Sequence, residues 1–202
     1  MRIAVKETPV YHFSELSDEA KEKVKQWYLD DPIRTDLFSE DCNGWYAENF
    51  PNSELKASYS LSYCQGDGYN TIGKLRIYDV IDKLALTDKE KRTLHFYYDQ
   101  LNTLYTFAKD HWYCYSCKSR DKREIEYIVT EDIEDMSYYH WKNINVPLIK
   151  KMYEMIFDYF ANVDRLFEKS GYEYFYEADD EEVSECCDAN DWEFDINGTF
   201  YC

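Results

Sequence analysis

The sequence predicts an α+β fold, a mainly antiparallel sheet packed against helices that include one long helix in the C-terminal half. Two patterns predict it. Between Val146 and Lys169, Ile149, Met152, Tyr153, Ile156, Tyr159, Phe160, Val163, Leu166 and Phe167 recur at three- and four-residue spacing, the period of a helix with one apolar side. Between Leu55 and Cys64 the period changes to two: Leu55, Ala57, Tyr59, Leu61 and Tyr63 alternate with Lys56, Ser58, Ser60, Ser62 and Cys64, as in a half-buried strand. A rod of roughly 33 Å with an apolar side needs a sheet to cover it.

The elements follow in chain order. Val10 to Phe13 reads as a short extended lead-in. Ser17 is a good N-cap, and Asp18 and Glu19 favour the positive end of the helix that follows, from Asp18 to about Leu29. Ala20, Val24, Trp27 and Tyr28 mark its inner face, and Asp31-Pro32 ends it, because a residue before proline avoids the helical region. Asp36 to Phe50 reads as a second helix. After the first strand, Gln65-Gly66-Asp67-Gly68 is a turn, and Asn70 to Tyr78 pairs back as a hairpin.

Thr87-Asp88-Lys89-Glu90 has the spacing of a capping box and opens a helix through Leu94, Tyr97, Tyr98 and Leu101. Three strands are then expected: Thr103 to Phe107, His111 to Cys117 and Glu124 to Thr130. A polar connection beginning Glu131-Asp132-Ile133-Glu134-Asp135 leads into the long helix, with Pro147 in its first turn and Ser170-Gly171 as its stop. Tyr172 to Tyr176 reads as a strand, Asp179 to Ala189 as an acidic helix, and Trp192 to Phe200 as a strand with a tight turn at Asn197-Gly198. The reading is one domain, 1–202, with 170–202 as an acidic subregion.

Composition narrows the class of function. Six Gly and four Pro against 21 Tyr, 11 Phe and 5 Trp point to a packed aromatic interior. No apolar run reaches the length of a membrane span, and no signal peptide opens the chain, so a cytosolic protein is expected. Seven cysteines at irregular spacing fit reduced thiols. The formal charge of −18, from 23 Lys+Arg against 41 Asp+Glu, argues against binding nucleic-acid phosphates or anionic membranes, and for a basic partner.

The charge is uneven, since Ser170 to Cys202 contains no Lys or Arg. Within it, Glu177, Asp179, Asp180, Glu181, Glu182, Glu185, Asp188 and Asp191 with Trp192 form the candidate partner-binding surface. Acidic residues three or four apart on a helix lie about 5–6 Å from one another, comparable in density to DNA phosphates once neighbouring rows are counted. The competing reading is a solvated face that keeps the protein soluble.

Two further motifs carry weaker chemistry. Gln65, Gly66, Asp67 and Gly68 form a candidate ligand loop in which glycines allow close backbone approach, with Lys74 and Arg76 as the nearest cations for an anionic ligand; the competing reading is a hairpin turn. Cys114 and Cys117 have the spacing of half a zinc site, which Cys186-Cys187 with His111 or His140 would have to complete; incidental thiols are the commoner outcome. No phosphate-cradling loop, zinc-protease helix or serine elbow is present, so no enzyme and no cofactor are expected.

Three stretches carry a resemblance: Tyr11-His12-Phe13-Ser14-Glu15-Leu16-Ser17-Asp18-Glu19-Ala20-Lys21-Glu22-Lys23, Ser60-Leu61-Ser62-Tyr63-Cys64-Gln65-Gly66-Asp67-Gly68, and Ala189-Asn190-Asp191-Trp192-Glu193-Phe194-Asp195-Ile196-Asn197-Gly198. Together they resemble a widespread group of small bacteriophage and prophage proteins of no assigned activity. The resemblance implies a phage accessory protein in the host cytosol and transfers no catalytic residues. Small acidic phage proteins of this kind look like inhibitors of host defence, of the anti-restriction or anti-CRISPR type, whose partner is a basic nucleic-acid-handling protein. A sponge for a small ligand or metal and an antitoxin-like neutraliser of a basic toxin are the alternatives.

Overall fold

The computed structural model describes residues 7–107, 122–138, 141 and 143–201. It is α+β, as expected: the described residues form helices and a three-stranded antiparallel sheet. The expected strand from His111 to Cys117 lies outside the described residues. The chain divides into two compact units, one of Met1–Phe38 with Tyr172–Cys202 and one of Ser39–Gly171.

In the first unit, α1 (Asp18–Leu29) begins where expected: the Ser17 side chain accepts the Ala20 N–H at 3.3 Å. Ala20 and Val24 are buried with Phe13, Leu16, Phe194 and the α7 residues Val183 and Cys187, α7 being Asp180–Ala189. Trp27 sits against Trp192 at 5.0 Å and stacks on Phe200 at 4.8 Å. The C-terminal strand is reduced to single bridges from Phe194 to Tyr11 and to Phe200. The tight turn forms at Gly198, whose φ is +79° and where a Cβ would lie 2.3 Å from the Ala20 carbonyl oxygen.

The second unit holds the sheet, in the order β1 (Glu54–Ser60), β2 (Gly68–Arg76), β3 (Leu104–Phe107), with Ser60 opposite Gly68 closing the hairpin and Gly73 opposite Phe107. The first strand ends four residues earlier than the alternation suggests, at Ser60 rather than Cys64, because Tyr63 turns to φ 55° and the loop starts at Leu61. α2 (Ile33–Asn49) runs through Gly44 unbroken, and Asn43 there accepts the Ala57 N–H at 2.9 Å. A short helix, α3 (Ile77–Val80), takes over where β2 was expected to continue to Tyr78. α4 (Asp88–Leu101) opens with both halves of its capping box formed.

Four further expectations fail, for identifiable reasons. Glu124 to Thr130 is not a strand, and Glu131 to Asp135 is not a loop; both belong to helix α5 (Lys122–Tyr138). Ile125, Val129, Asp132 and Met136 are its buried positions, spaced four, three and four apart; the carboxylate in the middle hid the stripe and left an apparent two-residue alternation. The long helix, α6 (Val146–Tyr176), does not stop at Ser170-Gly171, and Tyr172 to Tyr176 is its last turn and a half rather than a strand. Gly171 is buried inside the helix, where glycine costs about 1 kcal/mol relative to alanine but does not force a stop.

In the second unit α6 buries Ile149, Met152, Tyr153, Ile156, Phe160 and Val163, as its periodicity predicts. Phe160 meets Phe107 at 4.7 Å and Phe50 at 5.3 Å, and Phe167 packs on Tyr69 and Trp45. Each such side chain, fully buried, contributes about 1.5–3 kcal/mol. The apolar stripe is not uniform: Leu166 is exposed, and Asp164 is buried in its place.

Candidate partner-binding surface and a buried carboxylate

The acidic residues of the C-terminal segment divide by what they touch. Asp179 is the N-cap of α7, its side chain accepting the Glu182 N–H at 2.8 Å. Asp180 pairs with Lys25 and lies 3.9 Å from Lys21, and its hydrogen bond from Lys25 holds its pKa below the usual carboxylate range. Glu182 accepts from the Tyr28 hydroxyl at 2.9 Å and lies 3.5 Å from Arg34. Asp180 and Glu182 tie α7 to its own unit, through cations on α1 and at the start of α2.

Arg34 is the anchor of that arrangement. It is 3% exposed, its guanidinium lies 4.3 Å from the Tyr28 ring and 4.1 Å from the Tyr174 ring, and it donates to the Tyr174 carbonyl. Burial pushes the Tyr28 phenol up to about 12, reinforced by its bond to Glu182 and opposed by the nearby guanidinium. Sequence reading missed Arg34, because an arginine in the first turn of a helix offers no signal of burial.

Glu181, Glu185 and Asp188 are different. Four, three and seven residues apart, they share one exposed side of α7, across the helix from buried Val183 and Cys187. No described cation forms an ion pair with them. Glu177 and Asp191 are exposed at the two ends of the helix, and Trp192 is half-buried against Trp27 rather than presented to solvent. Cys187 is buried, which raises its thiol to about 11, and burial raises Cys186 as well, so neither is a reactive thiolate.

The glycine loop is closed on itself. Asp67 accepts from the Ser60 hydroxyl at 2.8 Å, the Ser62 N–H at 2.5 Å and the Cys64 N–H at 2.7 Å. Against the opposing effect of its own desolvation, these donors hold Asp67 below the usual range. Gly66 takes φ +96°, which the turn requires, while Gln65 is exposed and Gly68 opens β2. Lys74 lies 3.9 Å from Glu54, six residues along β2 from Gly68, so the strand rise separates it from the loop by roughly 20 Å. Cys114 and Cys117 lie outside the described residues, as do His111 and His140. Among the described residues no group of three His, Cys, Asp or Glu is placed to hold a metal.

No family model, curated protein or solved structure matches this chain.

The second unit contains one feature that sequence reading passed over. Asp132 is 3% exposed, and its Oδ2 accepts hydrogen bonds from the hydroxyls of Tyr98 and, at 2.7 Å, of Tyr153. Burial pushes its carboxyl up to about 6, with Asp135 and Glu131 adding to the rise and the two tyrosine donors opposing it. Asp132 lines a cavity of about 760 Å³ between α5 and the segment Leu101 to Thr106. Glu131, Glu134 and Asp135 also line it, and among the described residues no lysine, arginine or histidine does. The only advance signal was a carboxylate placed in register with an apolar helical stripe.

Proposed function

We propose that this protein is a non-enzymatic binding protein that docks a basic macromolecule on the outer side of α7. The observation that carries this reading is the exposed row of Glu181, Glu185 and Asp188, which has no counter-ion among the described residues on a chain of net charge −18. Seven residues of helix set Glu181 and Asp188 about 10 Å apart with Glu185 between them, so one side of α7 presents three carboxylates in a row to a basic partner. In the finer form of the proposal, the partner is a nucleic-acid-handling defence effector of the bacterial host, and the protein is a phage-encoded inhibitor of the anti-CRISPR or anti-restriction type. Long-range attraction between opposite charges speeds such encounters and weakens as salt rises.

The test is inhibition of purified CRISPR and restriction nucleases, with DNA cleavage as the readout, in low and in physiological salt. The triple variant Glu181→Lys, Glu185→Lys, Asp188→Lys should lose inhibition while keeping its circular-dichroism spectrum. Unchanged inhibition by the folded variant removes α7 from the proposal, and no inhibition of any nuclease removes the anti-defence reading.

A further inference from the structure

We propose that the cavity between α5 and strand β3 is a binding site for an alkylammonium group, received by the buried carboxylate of Asp132. It is a separate site from the outer side of α7 and does not depend on it.

The argument begins with an electrostatic imbalance. Asp132 is almost wholly buried, yet no described lysine, arginine or histidine forms an ion pair with it. Its hydrogen bonds from Tyr98 and Tyr153 both arrive at Oδ2, and no described residue donates to Oδ1. At neutral pH a carboxyl with a pKa near 6 is mostly ionised. A buried anion without a countercharge costs several kcal/mol, so a cation that reaches it through the cavity gains an interaction that no described residue fills.

The remaining lining suits an organic cation. Glu131, Glu134 and Asp135 add negative charge, and Tyr105, Tyr127 and Tyr153 supply aromatic rings, whose faces attract ammonium groups. Leu104, Tyr105 and Thr106 line the cavity from β3, which pairs with β2 among the described residues. A bare divalent ion is a poorer fit: it needs several oxygens converging at about 2.3–2.6 Å, and no described group of carboxylates converges in that way. A volume of about 760 Å³ falls in the range of small-molecule sites.

The same chemistry is offered by a free diamine or polyamine and by a lysine side chain of another protein. Isothermal titration of the full chain at low salt separates them, using cadaverine, a capped Gly-Lys-Gly peptide and, as an uncharged control, 1,5-pentanediol. Saturable one-site binding of cadaverine alone assigns the site to free amines; binding of the peptide alone assigns it to a lysine side chain. The diol should not bind.

Asp132→Asn should weaken amine binding by about tenfold or more, the effect of removing one buried charge partner. Replacing Glu181, Glu185 and Asp188 together by Gln should leave it unchanged, which separates the cavity from diffuse attraction to an acidic surface. Should Asp132→Asn fail to fold, Leu104→Trp decides: Leu104 is about half exposed at the cavity, so the larger ring fills the space without disturbing the core. Absence of saturable binding by either amine overturns the proposal, as does wild-type affinity in both Asp132→Asn and Leu104→Trp.

Discussion

Asp164, buried in α6, accepts both the backbone N–H of Thr71, at 2.8 Å, and its hydroxyl. It thereby ties the long helix to the central strand at a polar point in an otherwise apolar contact. Thr71 passes the connection on to the Tyr46 hydroxyl at 2.7 Å, which meets Tyr69 at 3.2 Å. Asp164→Ala leaves a buried N–H and hydroxyl without that acceptor and should destabilise the fold by about 3 kcal/mol. Asp164→Asn, which keeps one acceptor oxygen, should cost less. Urea unfolding followed by fluorescence of the tryptophans measures both, and equal stability of wild type and Asp164→Ala would show that the bond contributes nothing net.

The buried carboxylate of Asp132 predicts a pH dependence whose sign can be worked out. Its folded pKa of about 6 lies above the ordinary 3.8, so the native state holds this proton more tightly than the unfolded chain does. The group therefore opposes stability: the penalty is absent below about pH 4, grows as pH rises through the window, and is complete above about pH 6, at roughly 3 kcal/mol. Tyr98 and Tyr153 donate to the same carboxyl, and Glu131 and Asp135 add negative charge near it. The difference between wild type and Asp132→Asn isolates the effect, and that difference should change by about 3 kcal/mol between pH 4 and pH 7. A difference independent of pH would contradict the assignment.

The two kinds of acidic residue on α7 should respond differently to mutation. Asp179→Ala removes an N-cap and should cost about 1 kcal/mol. Glu181→Ser, Glu185→Ser and Asp188→Ser, on the open side, should each stay within about 0.5 kcal/mol of wild type. Thermal denaturation at fixed pH and salt distinguishes them.

Two glycines are sterically required. At Gly73, with φ +107°, a Cβ would sit 2.0 Å from the Glu54 carbonyl oxygen, and at Gly198 2.3 Å from that of Ala20. Backbone atoms cannot swing aside as a side chain can. Gly73→Ala and Gly198→Ala should each destabilise by about 2 kcal/mol or more. Gly44→Ala, in open space within α2, should instead stabilise by about 0.5–1 kcal/mol. Chemical denaturation of the three variants gives the comparison.

Much of the fold could be read locally. Ser17, Thr87 and Asp179 announce their helices because a short polar side chain satisfies a free N–H only at that position. The Leu55 alternation, with the glycine turn after it, yields the hairpin for the same kind of reason. The C-terminal acids were legible as a group, whereas the division into those engaged by Lys21, Lys25, Tyr28 and Arg34 and those left open was not. That division depends on side chains about 150 residues away in the chain.

Local spacing and capping chemistry were enough to establish the α+β class, the long helix, the hairpin and the acidic α7, since each rests on contacts within a few residues. Tertiary packing decided the rest. It turned Glu124 to Thr130 into helix by burying Ile125, Val129 and Met136 together, and it carried α6 past Gly171 by giving Tyr174 and Phe175 partners in Arg34 and Phe38. It also buried Asp132, Asp164 and Arg34, for which composition alone predicts exposure. Periodicity records which side of an element is apolar, but a charged group is held inside only by the donors, acceptors and rings that distant segments bring to it.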